Sequence, residues 1–207
     1  METRRQRCSA ETRSALVDVA ERLFAESGYA ATSLDAIVAG ADVTKGALYH
    51  HFSGKQAIFE AAFERVEQRA STAIARAAEG HEDPWHQARA GVRAFLDAVQ
   101  QPAYRRIVIS DGPSVLGYER FREQEERSTY AVVGQIVRAV LTAEDRDVDD
   151  DMLDAFTRIS FGGMSAAGDS VAGSEDAAVA ASRVEAAIGV ILSGLRQLLE
   201  SGATWRT

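Results

Sequence analysis

Apolar and polar positions alternate with a helical period along almost the whole chain. Leu16, Val19, Ala20, Leu23 and Phe24 recur at the i, i+3, i+4, i+7, i+8 spacing of one buried face, and Gly28 stops the run, which predicts a helix over about 10–27. Thr32 or Ser33 caps a second helix, with Asp35 in its first turn, Leu34, Ile37 and Val38 as its stripe and Gly40 at its end. Ala41-Asp42-Val43 links it to another short helix from Thr44 to about His50, with Ala47 and Leu48 inward and Lys45 outward. After Ser53-Gly54 a long helix is predicted from Lys55 to about Ala78, with Ile58, Phe59, Ala62, Phe63 and Val66 on one side. Asp83-Pro84 opens the next, which turns Trp85, Ala88, Val92, Phe95, Leu96 and Val99 inward up to Pro102. A short helix over about 103–110, a break at Asp111-Gly112-Pro113, a long helical segment through Leu141 and two closing helices over about 149–170 and 175–201 complete an all-α chain.

Hydrophobic residues make up 46% of the 207, enough to bury a core. Cys8 is the one cysteine, so neither an intrachain disulfide nor a multi-cysteine zinc site is available. No apolar run approaches the roughly 20 residues that cross a bilayer, and Arg4, Arg5 and Arg7 lead into no signal segment. The expectation is a soluble, cytoplasmic protein with no membrane partner. The formal charge of −8 argues against a wholly basic nucleic-acid coat, but it is unevenly spread. Residues 1–55 hold seven basic and seven acidic groups, so the whole excess lies in 56–207. The arginines of the first thirteen residues face only Glu2 and Glu11, a basic arm able to approach phosphates, although arginine-biased usage explains it equally well. Both lysines, Lys45 and Lys55, lie in this head.

The segment from Thr32 to Phe52 is the most informative, because two short helices across a tight turn read as a helix-turn-helix. The first braces against the opening helix. The second is short enough to lie in a major groove, about 12 Å wide, with its N-terminal residues at base edges. Thr44 there can bond a base edge or meet a thymine methyl, and Lys45 can donate to guanine O6/N7 or to phosphate. Tyr49 and His50 can reach the flanking backbone, and Gly46 lets the chain come close to DNA. The plainer alternative places Tyr49 and Phe52 in the core, which suits Phe52 better than Tyr49.

From Leu23-Phe24, Gly28-Tyr29 and Thr32-Ser33 through Lys45-Gly46-Ala47-Leu48-Tyr49-His50-His51-Phe52 to Lys55, the sequence resembles the TetR-like transcriptional repressors. The resemblance implies a three-helix DNA-binding domain over 1–54 and a larger helical ligand-binding and dimerisation domain over 55–207. It also implies homodimerisation through the last two long helices and release of double-stranded operator DNA by a small-molecule effector, with no cofactor. By the family pattern, Thr32, Ser33 and Lys55 contact phosphates at helix starts. Gly54 stands where the family usually has a capping Ser or Asp, and Gln56 where it usually has Glu, which predicts a slightly weaker start to the fourth helix. The stretch Arg105 to Tyr118 also resembles a body type common among these regulators.

Other chemistry finds little support. His50 and His51 are adjacent on a helix and point about 100° apart, so they do not chelate one ion, and Glu82 with His86 lacks a second histidine. Asp145, Asp147 and Asp149 imitate a calcium loop, but Asp150 replaces its glycine and Phe156 its final glutamate. No metal is expected. No nucleophile elbow or glycine-rich phosphate loop is present, so the expectation is not an enzyme. Trp85, Tyr104, Tyr118, Phe121, Tyr130 and Phe156 are candidates to line an effector pocket, each with the core as its alternative. Small residues cluster near the end, and Phe161, Gly163, Met164, Ala167, Ile188, Ile191, Leu192 and Leu195 are expected to form a self-complementary dimer interface, with tight packing inside one subunit as the alternative. An all-α small-molecule binding protein without a DNA function is the remaining rival.

Overall fold

The computed structural model describes residues 4–143 and 147–201, and among these no strand forms. The helices are α1 (Arg4–Ala31), α2 (Leu34–Gly40), α3 (Lys45–His51), α4 (Lys55–Glu79) and α5 (Pro84–Gln100), then a π-helix (Tyr104–Asp111), α6 (Gly112–Leu116), α7 (Tyr118–Arg127), α8 (Thr129–Leu141), α9 (Asp150–Ala172) and α10 (Ala177–Glu200). Asp145, from the rejected calcium pattern, lies outside the described residues, as do the side chains of Arg4 and Arg5. The chain packs as two compact units, Met1–Arg69 with Gln101–Glu126, and Ala70–Gln100 with Arg127–Thr207. Each is described by itself.

In the first unit α1, α2 and α3 pack on one another. Leu16, Val17, Ala20, Phe24, Ile37, Leu48, Phe52, Ile58 and Phe59 form its buried apolar interior. α1 starts earlier than expected because no glycine or proline interrupts residues 4–10, and the Thr12 hydroxyl donates to the Cys8 carbonyl. At the other end Gly28 adopts φ 77°, ψ 169°, a backbone region that essentially only glycine enters, and a last turn follows it to Ala31. α4 is held to α1 by Arg65, which bonds Glu21 at 2.8 Å and also pairs with Asp18, and by Arg69, whose Nη1 bonds Glu21 at 2.9 Å.

The expected break at Asp111-Gly112-Pro113 does not occur. Gly112 is helical (φ −49°, ψ −58°), and Pro113 sits in the first turn of α6, where a missing N–H is harmless. The interruption comes at Gly117 (φ 78°) and again at Ser128, so the expected long segment is three helices.

The second unit centres on Trp85, Ala88, Val140, Leu141, Leu153 and Leu199, with Phe156, Leu192 and Leu195 packed against them. Gly168 of α9 lies under Phe95, where a Cβ would come within 2.9 Å of the ring. α10, contrary to the expectation drawn from the sequence, is long and apolar enough to cross a membrane by length and composition, yet only 6% of its most apolar window is buried within the chain.

The carboxyl of Glu21 gives a pH prediction. Burial alone raises it, but hydrogen bonds from Arg69 and Arg65 and their positive charges outweigh burial and hold it below its usual value of 4.5. A lowered folded-state value contributes stability above the ordinary carboxylate range and loses it as pH falls through the lowered value. Glu21→Gln is therefore expected to lower stability by up to about 1 kcal/mol at neutral pH, given solvent screening, and to flatten the loss of stability below pH about 4.5. Thermal melts across pH check both; parallel pH profiles would remove Glu21 from the brace.

Candidate nucleic-acid interface

The two short helices are built by matching caps. The Ser33 hydroxyl accepts the Ala36 N–H at 3.1 Å, and the Thr44 hydroxyl accepts the Ala47 N–H at 3.1 Å, so each cap satisfies a donor that a helix start leaves open. Between them Asp42 takes φ 53°, a left-handed turn that aspartate tolerates, and the Val43 N–H returns to the Val38 carbonyl at 3.3 Å. Ile37 and Leu48 are fully buried and fix which faces look out.

The outward face of α3 carries Thr44, Lys45, Gly46, Tyr49 and His50, all exposed. Tyr49 is 54% exposed, one turn after Lys45, so its core alternative is set aside, while Phe52 is buried as expected. Among the described residues nothing requires glycine at 46, since a Cβ there meets only the Thr44 hydroxyl oxygen at 3.8 Å. Lys45 pairs with Asp35 of α2 at 2.6 Å, a tie across the turn that the sequence reading missed. The hydrogen bond from Lys45 to Asp35 and the carboxylate's charge raise the ammonium's pKa, so it stays charged at neutral pH. His51 is half-buried; burial, His50 and Arg13 lower its pKa, which disfavours its charged form.

Two of the residues expected to contact phosphates already have partners within the chain. Thr32 is buried, and its hydroxyl donates to the Gly28 carbonyl at 2.8 Å and the Leu23 carbonyl at 3.2 Å, so it braces the end of α1. Lys55 donates to the carbonyls of Thr32 at 2.6 Å and Ala30 at 3.3 Å and stands over the Tyr29 ring at 4.4 Å. It caps the exposed carbonyls of the last turn of α1, as cations at helix ends do. Ser33 stays exposed. In the basic arm Arg7 is exposed, whereas Arg13 lies over the Phe52 ring at 5.0 Å.

The six candidate effector residues divide between the units. In the first, Tyr104 is buried, Phe121 meets Phe63 edge-on at 5.8 Å, and Tyr118 is 76% exposed, which is not the setting of a cavity wall. In the second, Trp85 belongs to the core under Arg196, Phe156 packs against that core, and the Tyr130 hydroxyl bonds Asp154 at 3.1 Å while its ring meets Phe161 at 5.3 Å. A cleft of about 700 Å³ between α5 and α10 is lined by none of the six; Arg89, Arg93, Ser182, Glu185, Ser193 and Gln197 supply its polar side chains.

Of the residues expected at a dimer interface, Ile191 is 67% exposed and Gly163 has no neighbour within 4 Å of a Cβ. Phe161, Met164, Ala167 and Ile188 are half-buried. Leu192 and Leu195 pack partly on the core of the second unit. Gly162, Gly189 and Gly194 are as open as Gly163. Among the described residues their small size therefore makes room for no neighbour, unlike that of Gly168.

Two family models match this architecture. One, described as bacterial regulatory proteins of the tetR family, matches residues 16–62; the other, described as a tetracyclin repressor-like C-terminal domain, matches residues 85–195, more than half of the chain. The chain belongs to the TetR family. Among its TetR-family relatives, a transcriptional regulator from Pectobacterium atrosepticum superposes with a TM-score of 0.78 at 28% identity, covering 93% of this chain and 97% of that one. The regulator AcrR of Shigella flexneri is 46% identical over 57 residues, 28% of this chain and 26% of AcrR. The activator FasR of Mycolicibacterium smegmatis is 32% identical over 103 residues, 49% of this chain and 47% of FasR. The chain thus spans about a quarter to a half of the curated relatives it matches. The first TetR-family model includes all of α2, α3 and the exposed face of α3.

Proposed function

We propose that this TetR-family chain is a ligand-responsive transcriptional regulator of the cytoplasm, a repressor, that binds palindromic operator DNA as a homodimer and is released by a small molecule. The observation that carries the reading is the exposed N-terminal edge of α3, with Thr44, Lys45, Gly46, Tyr49 and His50 facing solvent over a buried Leu48. Ser33 adds a phosphate contact at the start of α2. DNA reading belongs to residues 1–54, and effector binding and dimerisation to 55–207. One short helix covers little DNA, so two heads related by a two-fold reading both halves of a palindrome give the affinity that one lacks. The open small-residue faces of α9 and α10, with Ile159, Val190, Ile191 and Leu198 exposed beside them, support a second copy as the occupant. An effector that favours a body conformation with mis-spaced heads weakens operator binding by its affinity ratio for the two states.

Gel shifts at defined salt with a palindromic fragment from near the coding sequence test this reading. The expected result is binding at least about 1,000-fold tighter than to bulk DNA. Equal affinity for both would favour an all-α binding protein instead. Gly163→Leu is expected to leave the subunit folded, since among the described residues nothing lies within 4 Å of a Cβ there, and to yield monomers by light scattering. A dimer that persists misplaces the interface.

A further inference from the structure

The first unit contains a joint that none of the expected contacts accounts for. The π-helix packs along α1, and its last residue, Asp111, points its carboxylate at the kink in that helix. Asp111 Oδ2 accepts the backbone N–H of Tyr29 at 2.7 Å and the Nε–H of Arg106 at 3.3 Å. The Arg106 guanidinium lies so close to Gly28 that a Cβ there would come within 2.0 Å of its Nη2. Because Gly28 interrupts α1, the N–H groups just beyond it stand where a helix start leaves donors open, and a carboxylate is the favoured acceptor at such a point.

The corner held this way leads straight into the reading helices. Thr32 bonds the Gly28 carbonyl, Lys55 bonds the Thr32 carbonyl, and the next residue, Ser33, is the cap of α2. The π register delivers the carboxylate. In an i→i+5 helix Asp111 projects at a different angle than it would at the end of an α-helix of equal length. The Ser110 hydroxyl supports this register by bonding the carbonyl five residues back, at Arg105, at 3.0 Å. Past the joint, Gln56 of α4 bonds the Val115 carbonyl at 2.8 Å and Gln124 bonds Glu64 of α4 at 2.8 Å, so the stretch that follows the π-helix is also tied to α4.

We propose that Asp111 is a positioning residue for DNA recognition: by accepting the Tyr29 N–H at the Gly28 kink it sets the angle at which α2, and α3 behind it, leave α1. This rests on the regulator reading above, and it adds the residue through which a change in the π-helix reaches the reading head. The role assigned to Asp111 involves no contact with DNA. Its loss therefore lowers preference for the operator while leaving attraction to bulk DNA, which depends on phosphate charge, in place.

The test compares Asp111→Ala with Asp111→Asn, which keeps an acceptor oxygen, by hydrogen exchange on the full-length free protein and by operator and bulk-DNA binding. Expected for Asp111→Ala are faster exchange at Tyr29 and through α2, operator affinity about tenfold weaker, and bulk-DNA affinity within about twofold of the parent. Asp111→Asn is expected to restore both exchange and operator affinity. Unchanged exchange in α2 of Asp111→Ala overturns the proposal, as does an Asp111→Asn variant as weak as Asp111→Ala. If Asp111→Ala melts as a whole, Asp111→Asn decides, because a purely electrostatic role for the carboxylate would leave that variant impaired. Should the parent protein show no operator preference, the regulator reading fails, while the exchange comparison still decides what Asp111 holds.

Discussion

Lys45→Ala is expected to weaken operator binding about 100-fold while leaving the melting temperature unchanged, the largest functional loss from a single exposed side chain. A base or phosphate contact from such a lysine is worth roughly tenfold in affinity per head, and a two-fold assembly loses it twice. The fold should not notice, because the partner of Lys45, Asp35, is exposed as well and surface pairs of this kind contribute little. Salt titration separates the two roles: a lost phosphate contact lowers the salt slope by about 1 per head, whereas a lost base contact relaxes sequence preference at one position. Tyr49→Ala should weaken binding by a smaller factor, again without a change in melting. A Lys45→Ala protein that melts early would return this side chain to the fold, and one that binds normally would move the reading face off α3.

Phe59→Ala is expected to produce the largest loss of stability. Phe59 is fully buried and meets two rings edge-on, Phe24 at 5.2 Å and Tyr29 at 5.2 Å. Deleting a ring from such a cluster costs about 3–5 kcal/mol, transfer and cavity together, which for a chain of this size is a fall of roughly 10 °C in melting temperature. The cluster ends at Tyr29, one residue past the kink, so operator binding should fall as well, in step with unfolding. The comparison with Lys45→Ala is the informative one, since one variant loses binding without stability and the other loses both. Scanning calorimetry checks the prediction, and a melting temperature within about 2 °C of the parent would mean that the cavity collapses without cost.

Periodicity and turn chemistry alone determined the helical class, the two short helices, their caps near Ser33 and Thr44 and the outward set on α3. Each of these is a local property, decided by residues within a turn or two of one another. The boundaries of α1 and the break after the π-helix were misread because continuation through a proline in a first turn, and interruption at Gly117, depend on backbone angles that composition does not carry. The inward commitments of Thr32 and Lys55 needed the end of α1 and the start of α4 brought together, across 23 residues in the case of the bond from Lys55 to Thr32. Tyr29 and Asp111 meet across 82 residues, and nothing near either one signals the other. The same holds for the aromatic candidates of the body, whose spacing fits a core or a pocket equally well until packing exposes Tyr118 and buries Trp85. What the linear chain determined was which side chains a helix turns outward; which of those then find a partner was decided only by tertiary structure, because a hydrogen bond or an apolar contact depends on distance in space and not on separation along the chain.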